Sequence, residues 1–390
     1  MDVAIVGAGI AGLTAFATLN KMGINALIYE QAKEFSRVGA AIQLTPNAVR
    51  VTRGLDLEEE LCAQSFMPEV GYNREWDTGK NTFLHLMGKK TAERYGAPDI
   101  SMHRAVLHNA LASLVPKDKI FFNKKLHGID RVSNGIKLHF SDGSDIKTNA
   151  LIGADGIHSI VRETIVGKET LRLTGQVAYR GVYPSILLGR EIDDRVKWWG
   201  PDRHIVTYKI DPRRDELYFI ASTPEPDFRV ESWSAPGNVD EMIAAYSGFH
   251  PDAMIILESA PEVRKWALIE REPLPRWTAE RTILIGDAAH TIHPLAGQGL
   301  NLGIGDAEEL SRLISLAKRK AKNIGSEEVL QQFHNNRFFK NLKMMGLMEL
   351  FKKGFQSSNP WLKLGRNYIF QEADKIESLK KRLIREAVGI

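Results

Sequence analysis

A chain of 390 residues, 43% hydrophobic and 26% charged, can bury a full core, exceeds the usual span of one domain and is not disordered. Its net charge of +4 is too small to argue for nucleic acid as a partner. Its one cysteine, Cys62, excludes an internal disulfide and a cysteine-built metal site, and suits a reducing cytoplasm.

The first strand is expected at Val3–Val6, so no secretory leader is expected before it. No apolar run reaches the roughly 18 residues that span a bilayer. The strand opens into Gly7-Ala8-Gly9-Ile10-Ala11-Gly12, and a helical pattern follows through Leu13, Ala15, Phe16 and Leu19. A second apolar run, Ala26–Tyr29, ends in Glu30. This is the strand–GxGxxG–helix–strand–acid unit of a dinucleotide-binding βαβ. Gly7 allows the tight turn, Gly9 lets backbone approach a pyrophosphate, and Gly12 lets helix and strand pack closely. The free N–H groups of the helix start face the phosphates, and Glu30 can hold ribose hydroxyls. An acid there disfavours a 2′-phosphate, so the dinucleotide is FAD or NAD rather than NADP.

Residues 37–47 are glycine-rich and polar after the second strand. Arg104–Leu114 has apolar residues at helical spacing, and strands are expected at Ile120–Phe122 and Ile136–Phe140, the latter followed by a Ser-Asp-Gly-Ser hairpin turn. Leu151–Gly153 is a buried strand delivering Asp155-Gly156, then a helix with Ser159 and Arg162 one turn apart. Residues from about 172 to 270 alternate, as an antiparallel sheet does. Thr282–Gly286 is a further strand that presents Asp287 and continues through His293, Pro294, Gly297, Gln298, Gly299, Leu300 and Asn301 into a helix. Asp287 can accept hydrogen bonds from polyol hydroxyls, and the amides of Gly299 to Asn301 can stabilise negative charge on a reduced ring. His290 and His293 lie beside Asp287 with no third histidine ligand near, so no metal is expected. From about residue 326 the chain is helical and lysine-rich.

These three stretches resemble those of the single-component FAD-dependent aromatic hydroxylases, over essentially residues 1–340. The resemblance implies an α/β fold in which a Rossmann-type FAD-binding domain (1–70, 100–170 and 275–325) is interleaved with an antiparallel-sheet substrate domain (71–99 and 171–274), followed by a C-terminal helical region (326–390). It assigns Gly7, Gly9, Gly12 and Glu30 to the ADP half of FAD, and Asp155 and Gly156 to FAD and NAD(P)H binding. It assigns Asp287, Pro294, Gly297, Gly299, Leu300 and Asn301 to the ribityl chain and flavin, with Arg37 and Arg104 nearby. NADH or NADPH would bind transiently as reductant, and a small aromatic ring would be hydroxylated with O2 through a flavin C4a-hydroperoxide.

Within the family, Val196–Tyr208 is similar to the salicylate hydroxylase, 3-hydroxybenzoate 6-hydroxylase and 6-hydroxynicotinate 3-monooxygenase group, whose His-x-x-x-Tyr faces the substrate. Here the pair is His204 and Tyr208, which strand alternation puts on one face, so both are expected to line one pocket. His204 is then the base that ionises a phenol, an effect worth roughly 10²–10⁴-fold, with Tyr208 as relay or orienting hydroxyl. Gln298 matches a substrate-side glutamine, and Arg180 and Gln298 are candidate anchors for an acidic substrate. Gln43 and Leu295 stand where the 6-hydroxynicotinate members carry histidines. Trp198 and Trp199 point to opposite faces of their strand, so at most one lines the pocket.

Other readings remain at this level. The HPLAGQGLNLG stretch is also close to the ubiquinone-biosynthesis hydroxylases, and the alternative enzyme reading is a polyprenyl-phenol hydroxylase or an epoxidase. A flavin-binding regulatory protein or an NAD(P)H oxidase would share the cofactor motifs without the ring chemistry. The basic C-terminal region would serve a helix packed on the body, a homodimer contact, or weak contact with an anionic membrane surface.

Overall fold

The computed structural model describes residues 2–35, 40–133, 135–232, 234–292 and 297–355, with Asn359, Trp361 and Gly365. Val3–Val6 is wholly buried at the middle of a six-stranded sheet, between Ala26–Tyr29 and Ala150–Gly153. Both pairings are parallel, with Val3 opposite Ala26 on one side and Ala150 on the other. Parallel strands covered on both faces need unbroken apolar runs, and VAIV, ALIY and ALIG are such runs. Thr282–Leu284 and Ile120–Phe121 extend the parallel sheet, and Thr278–Ala279 forms an antiparallel edge.

All three glycine-and-acid stretches leave from the carboxyl ends of adjacent strands: Gly7 after Val6, Ala154 after Gly153, and Gly286 just past Leu284. That edge is where open α/β sheets bind ligands. The helix after the first stretch, Ile10–Lys21, packs on the helix after the third, Gln298–Arg319; Thr18 and Ser311 share a hydroxyl hydrogen bond of 2.6 Å between them.

The second large sheet has seven strands, in the order Arg264–Glu270, Arg172–Pro184, Glu216–Pro224, His204–Asp211, Arg195–Trp199, Val70–Glu75 and Asn81–Leu86. One face, carrying Tyr179, Trp198, Ile205 and Phe219, packs against Met242, Ile256 and Leu257 of the helices Val239–Ala245 and Pro251–Glu258. The other face turns toward the carboxyl edge of the first sheet. Every pairing is antiparallel except one: Val70–Glu75 runs parallel to Arg195–Trp199. The purely antiparallel expectation fails there because this strand arrives from a distant part of the chain, where no hairpin dictates its direction.

The third stretch is held by buried charge. Asp306, fully buried on the helix Gln298–Arg319, accepts from the Gly286 amide (3.1 Å), His290 Nε2 (2.5 Å), Arg337 Nε (2.7 Å) and Asn341 Nδ2 (3.1 Å). Arg337 and Asn341 stand on the C-terminal helix Glu327–Phe355. Burial alone would raise the Asp306 carboxyl, but His290 and Arg337 outweigh it and hold it well below the ordinary carboxylate range. Among the described residues no helix is long and apolar enough to cross a membrane, and most of the basic segment past residue 355 lies outside them.

Asp306→Ala leaves the buried Arg337 guanidinium and its fellow donors His290 and Asn341 without their acceptor and is expected to destabilise the fold by about 3–5 kcal/mol in urea melts. Because the folded-state carboxyl is depressed, its contribution is complete above the ordinary carboxylate pKa of about 4 and fades as pH falls below it. The wild type should therefore lose stability on acidification more steeply than Asp306→Asn. Parallel pH profiles would show that the carboxylate is not what carries the network.

Candidate active site

The fingerprint turn is built on contacts that exclude side chains. Gly7 has φ +103°, and a Cβ there would sit 2.3 Å from the Ala154 carbonyl oxygen. Gly12 packs so closely on the same turn that its Cβ would meet the Gly7 carbonyl at 2.0 Å. Gly9 differs: its φ is −72° and a Cβ would meet nothing within 4 Å. Gly9 begins the helix Ile10–Lys21 with no side-chain cap, so its free N–H groups open onto empty space. An anion cradle needs that arrangement, and the pyrophosphate of a dinucleotide fits it. Glu30 braces the turn: its two carboxylate oxygens accept the amides of Ala8 (2.7 Å) and Ala32 (2.8 Å), each keeping a lone pair for a ribose hydroxyl.

A cavity of about 560 Å³ runs from this cradle to the inner face of the seven-stranded sheet. Gly9, Ala154, Gly156 and Asp287 line its cofactor end, with Gly297, Gly299 and Leu300 at the start of the helix Gln298–Arg319. The Asp287 carboxylate lies near Gly299 and lines the cavity. Desolvation there pushes its pKa up, against the pull of His290 and Arg104. Arg104 also lines the cavity, and burial lowers its pKa against the attraction of Asp287.

Two expected cofactor residues use their side chains elsewhere. Asp155 does not reach the cavity; it accepts from Ser159 Oγ and from the Val161 amide, capping the helix Ile160–Val166, while its neighbours Ala154 and Gly156 form the wall. The Asn301 side chain is fully buried and binds the Thr45 amide and the Gln43 and Gly297 carbonyls, so it can offer only its backbone to a ligand. His290 Nε2 is taken by Asp306, and among the described residues no group of three or more His, Cys, Asp or Glu side chains could hold a metal. Arg37, Pro294 and Leu295, with His293, lie outside the described residues.

The sheet end of the cavity is organised in rows set by strand register. Arg195, Tyr208 and Tyr218 lie side by side across three strands. Lys197, Val206, Ile220 and Arg180 make the next row, and Trp199, His204, Ser222, Ala178 and Trp266 the row after. The first two rows, with Trp266, line the cavity.

Tyr208 and His204 share a face, but the structure brings only Tyr208 to the wall. His204 stands one row too far. It is 2% exposed, its ring stacks on Trp199 at 5.3 Å, and its Nδ1 meets the Ser222 hydroxyl at 3.0 Å. The Tyr208 and Tyr218 rings are 5.0 Å apart. Burial drives the Tyr208 hydroxyl well above the ordinary phenol range and Tyr218 to about 12, so both stay protonated as hydrogen-bond donors. Gln298 is 3% exposed, does not line the cavity, and its side-chain carbonyl has no partner among the described residues.

The sequence reading named Arg180 but missed Arg195, Lys197 and Tyr218. Alternation from Arg195 through Lys197 to Trp199, opposite to Trp198, would have flagged the two cations. Arg195 is buried beside Asp99, and burial lowers its pKa against that carboxylate's pull. Arg180 lies over the Trp266 ring at 5.2 Å.

A model described as the FAD binding domain matches residues 1–339. The chain belongs to that family. It is 38% identical over 314 residues to a 6-hydroxynicotinate 3-monooxygenase of Bordetella bronchiseptica, covering 80% of this chain and 82% of the relative. A Pseudomonas putida salicylate hydroxylase is 30% identical over 361 residues, covering 86% and 82%. Klebsiella pneumoniae HpxO, solved with FAD and uric acid, superimposes with a TM-score of 0.84 at 22% identity over 100% of this chain and 97% of that one, a likeness of fold. The protein is thus an FAD-dependent monooxygenase of the aromatic hydroxylase type, using NAD(P)H and O2.

Gly9→Val should keep the fold, with stability changed by less than about 1 kcal/mol, because the added atoms enter open space. It should weaken FAD binding by roughly tenfold or more, read by flavin fluorescence quenching, because the same space is where the pyrophosphate approaches. Unchanged FAD affinity would remove Gly9 from the cradle.

Proposed function

We propose that the substrate is a small aromatic ring carrying a carboxylate and an activating hydroxyl, of the phenolic acid or hydroxypyridine kind. The observation that carries this reading is the charge of the cavity. Arg180, Arg195 and Lys197 face it from the sheet, whereas Asp287, at the opposite, cofactor end, is the one acid among the described residues lining it. Guanidinium groups pair with carboxylates through charge-assisted, often bidentate hydrogen bonds, which are strongest where water is excluded. The named relatives support the same class, since 6-hydroxynicotinate and salicylate are hydroxylated ring acids. A polyprenyl phenol would ask instead for a long apolar channel without cations.

FAD, when bound, supplies the redox chemistry: acceptance of hydride from NAD(P)H and activation of O2 for insertion into the ring. The chain's residues supply position and proton control. Arg195, and Arg180 on the far side of Ile220, anchor the carboxylate. Trp266, Val206 and Ile220 bound the ring, and the Tyr208 hydroxyl donates a hydrogen bond that orients it. Gly297 and Gly299 let the flavin-side backbone come close, with Asp287 on the ribityl chain. His204 supports Trp199 and the strand ends and does not touch substrate. The single free thiol, Cys62, fits a cytoplasmic setting.

The test is NADH and NADPH oxidation by the FAD-loaded protein with salicylate, 3-hydroxybenzoate, 4-hydroxybenzoate and 6-hydroxynicotinate, counting peroxide and hydroxylated product separately. At least one acid should speed oxidation and give product one-to-one, and its carboxamide should not. Arg195→Leu should raise KM for that acid by roughly 10- to 100-fold, the loss of one charge-assisted hydrogen bond. Stimulation by uncharged, lipid-like phenols alone would overturn the reading.

A further inference from the structure

We propose that Lys197 is the group that takes the proton from the substrate's ring hydroxyl. The inference rests on the phenolic-acid reading above and assigns the base that the His204 expectation left without an occupant. Lys197 lines the cavity from the outermost of its lining strands, paired with Val206, at the opposite end of its row from Arg180 and next to the row that carries Arg195 and Tyr208. Its side chain is half-buried and lines the cavity.

The other polar groups on the wall cannot do this work. Arginines hold their protons throughout the working range. Tyr208 and Tyr218 are held protonated by burial. Gln43 is an amide, and Asp287 lies at the cofactor end. A lysine can present a neutral nitrogen, and here its surroundings favour that form: loss of water and then the charge of Arg195 bring its pKa down to about 7. The charged and titratable groups that share the cavity with it are Arg195 on its own strand, Tyr208 on the neighbouring strand, Tyr218 and Arg180 on the two strands beyond, and Arg104 and Asp287 on the opposite wall. Asn73, paired with it, and Glu75 share the adjoining strand, with His85 beyond.

The step balances within the site. The ring O–H bond breaks, its electron pair stays on oxygen, and the proton moves to the Nζ lone pair. A neutral phenol and a neutral amine become a phenolate and an ammonium, which attract each other in a site of low dielectric. The phenolate pushes electron density into the ring carbons ortho and para to it, where oxygen is to be inserted.

The test uses the FAD-loaded protein, with 3-hydroxybenzoate and 4-hydroxybenzoate as probes, at mildly alkaline pH where a free phenol is neutral. Ultraviolet difference spectra report phenolate in the bound probe, and calorimetry in buffers of different ionisation enthalpy reports protons released. The wild type should bind a probe as phenolate with no proton released to the medium. K197M, nearly isosteric and apolar, should bind it as neutral phenol. K197R keeps the cation but cannot accept a proton, so it should bind phenolate and release one proton. The acid limb of the kcat/KM profile, near neutrality in the wild type, should be absent in K197M, with kcat/KM down roughly 10²-fold or more. Unchanged phenolate formation in K197M, with FAD retained, would overturn the assignment. Failure of the wild type to bind either probe, and salicylate and 6-hydroxynicotinate as well, would overturn the phenolic-acid reading, and this inference with it.

Discussion

One buried carboxylate joins the parts of the fold that must meet at the flavin. Asp306 has four donors: a backbone amide at the end of a sheet strand, His290 in the loop that follows, and Arg337 and Asn341 from the C-terminal helix. A buried charge with one partner is a liability, but with a cation on one side and hydrogen bonds on the others it becomes a directional joint. The loop from Gly286 to His290 is therefore pinned at both ends, and Asp287 between them lines the cavity with no side-chain hydrogen bond to the described residues. Much of the helix Glu327–Phe355 is remote from the cavity, yet through Arg337 it fixes where the acid of the third stretch points.

The same logic, charge kept from water, shapes the opposite wall. Desolvation penalises each of the two arginines and the lysine on this wall, and Arg195 repels Lys197. Guanidiniums cannot relieve this by losing protons, so relief falls on the lysine and on Asp99, the buried carboxyl beside Arg195, itself raised to about 6 by burial. An incoming carboxylate neutralises part of the patch. Affinity for an acid and the unusual softness of the lysine thus follow from one arrangement rather than two.

The cofactor half of the molecule was legible because its physics is local. Gly7 and Gly12 are needed for backbone contacts within a few residues or to the adjacent strand, and a sequence motif records such needs directly. The strands VAIV and ALIG carry the unbroken apolar signature of a parallel sheet. Asp155 was misplaced for an equally local reason. An acid after a strand and before a helix suits a ligand and a helix cap alike, and only coordinates show that Ser159 and Val161 have claimed it.

The substrate half was legible in direction but not in depth. Alternation correctly groups His204 with Tyr208 on one face, but it says nothing about where along the strand the cavity stops. That limit is set by register with strands far away in sequence, which places His204 beside Ser222 and Trp199 and places Lys197 beside Val206. A histidine in a buried row, stacked and hydrogen-bonded, supports the wall; a lysine one row nearer, facing the cavity, can act on what enters. The chemistry of this site thus depends on a shift of two residues along a strand, a quantity that no single segment of sequence encodes.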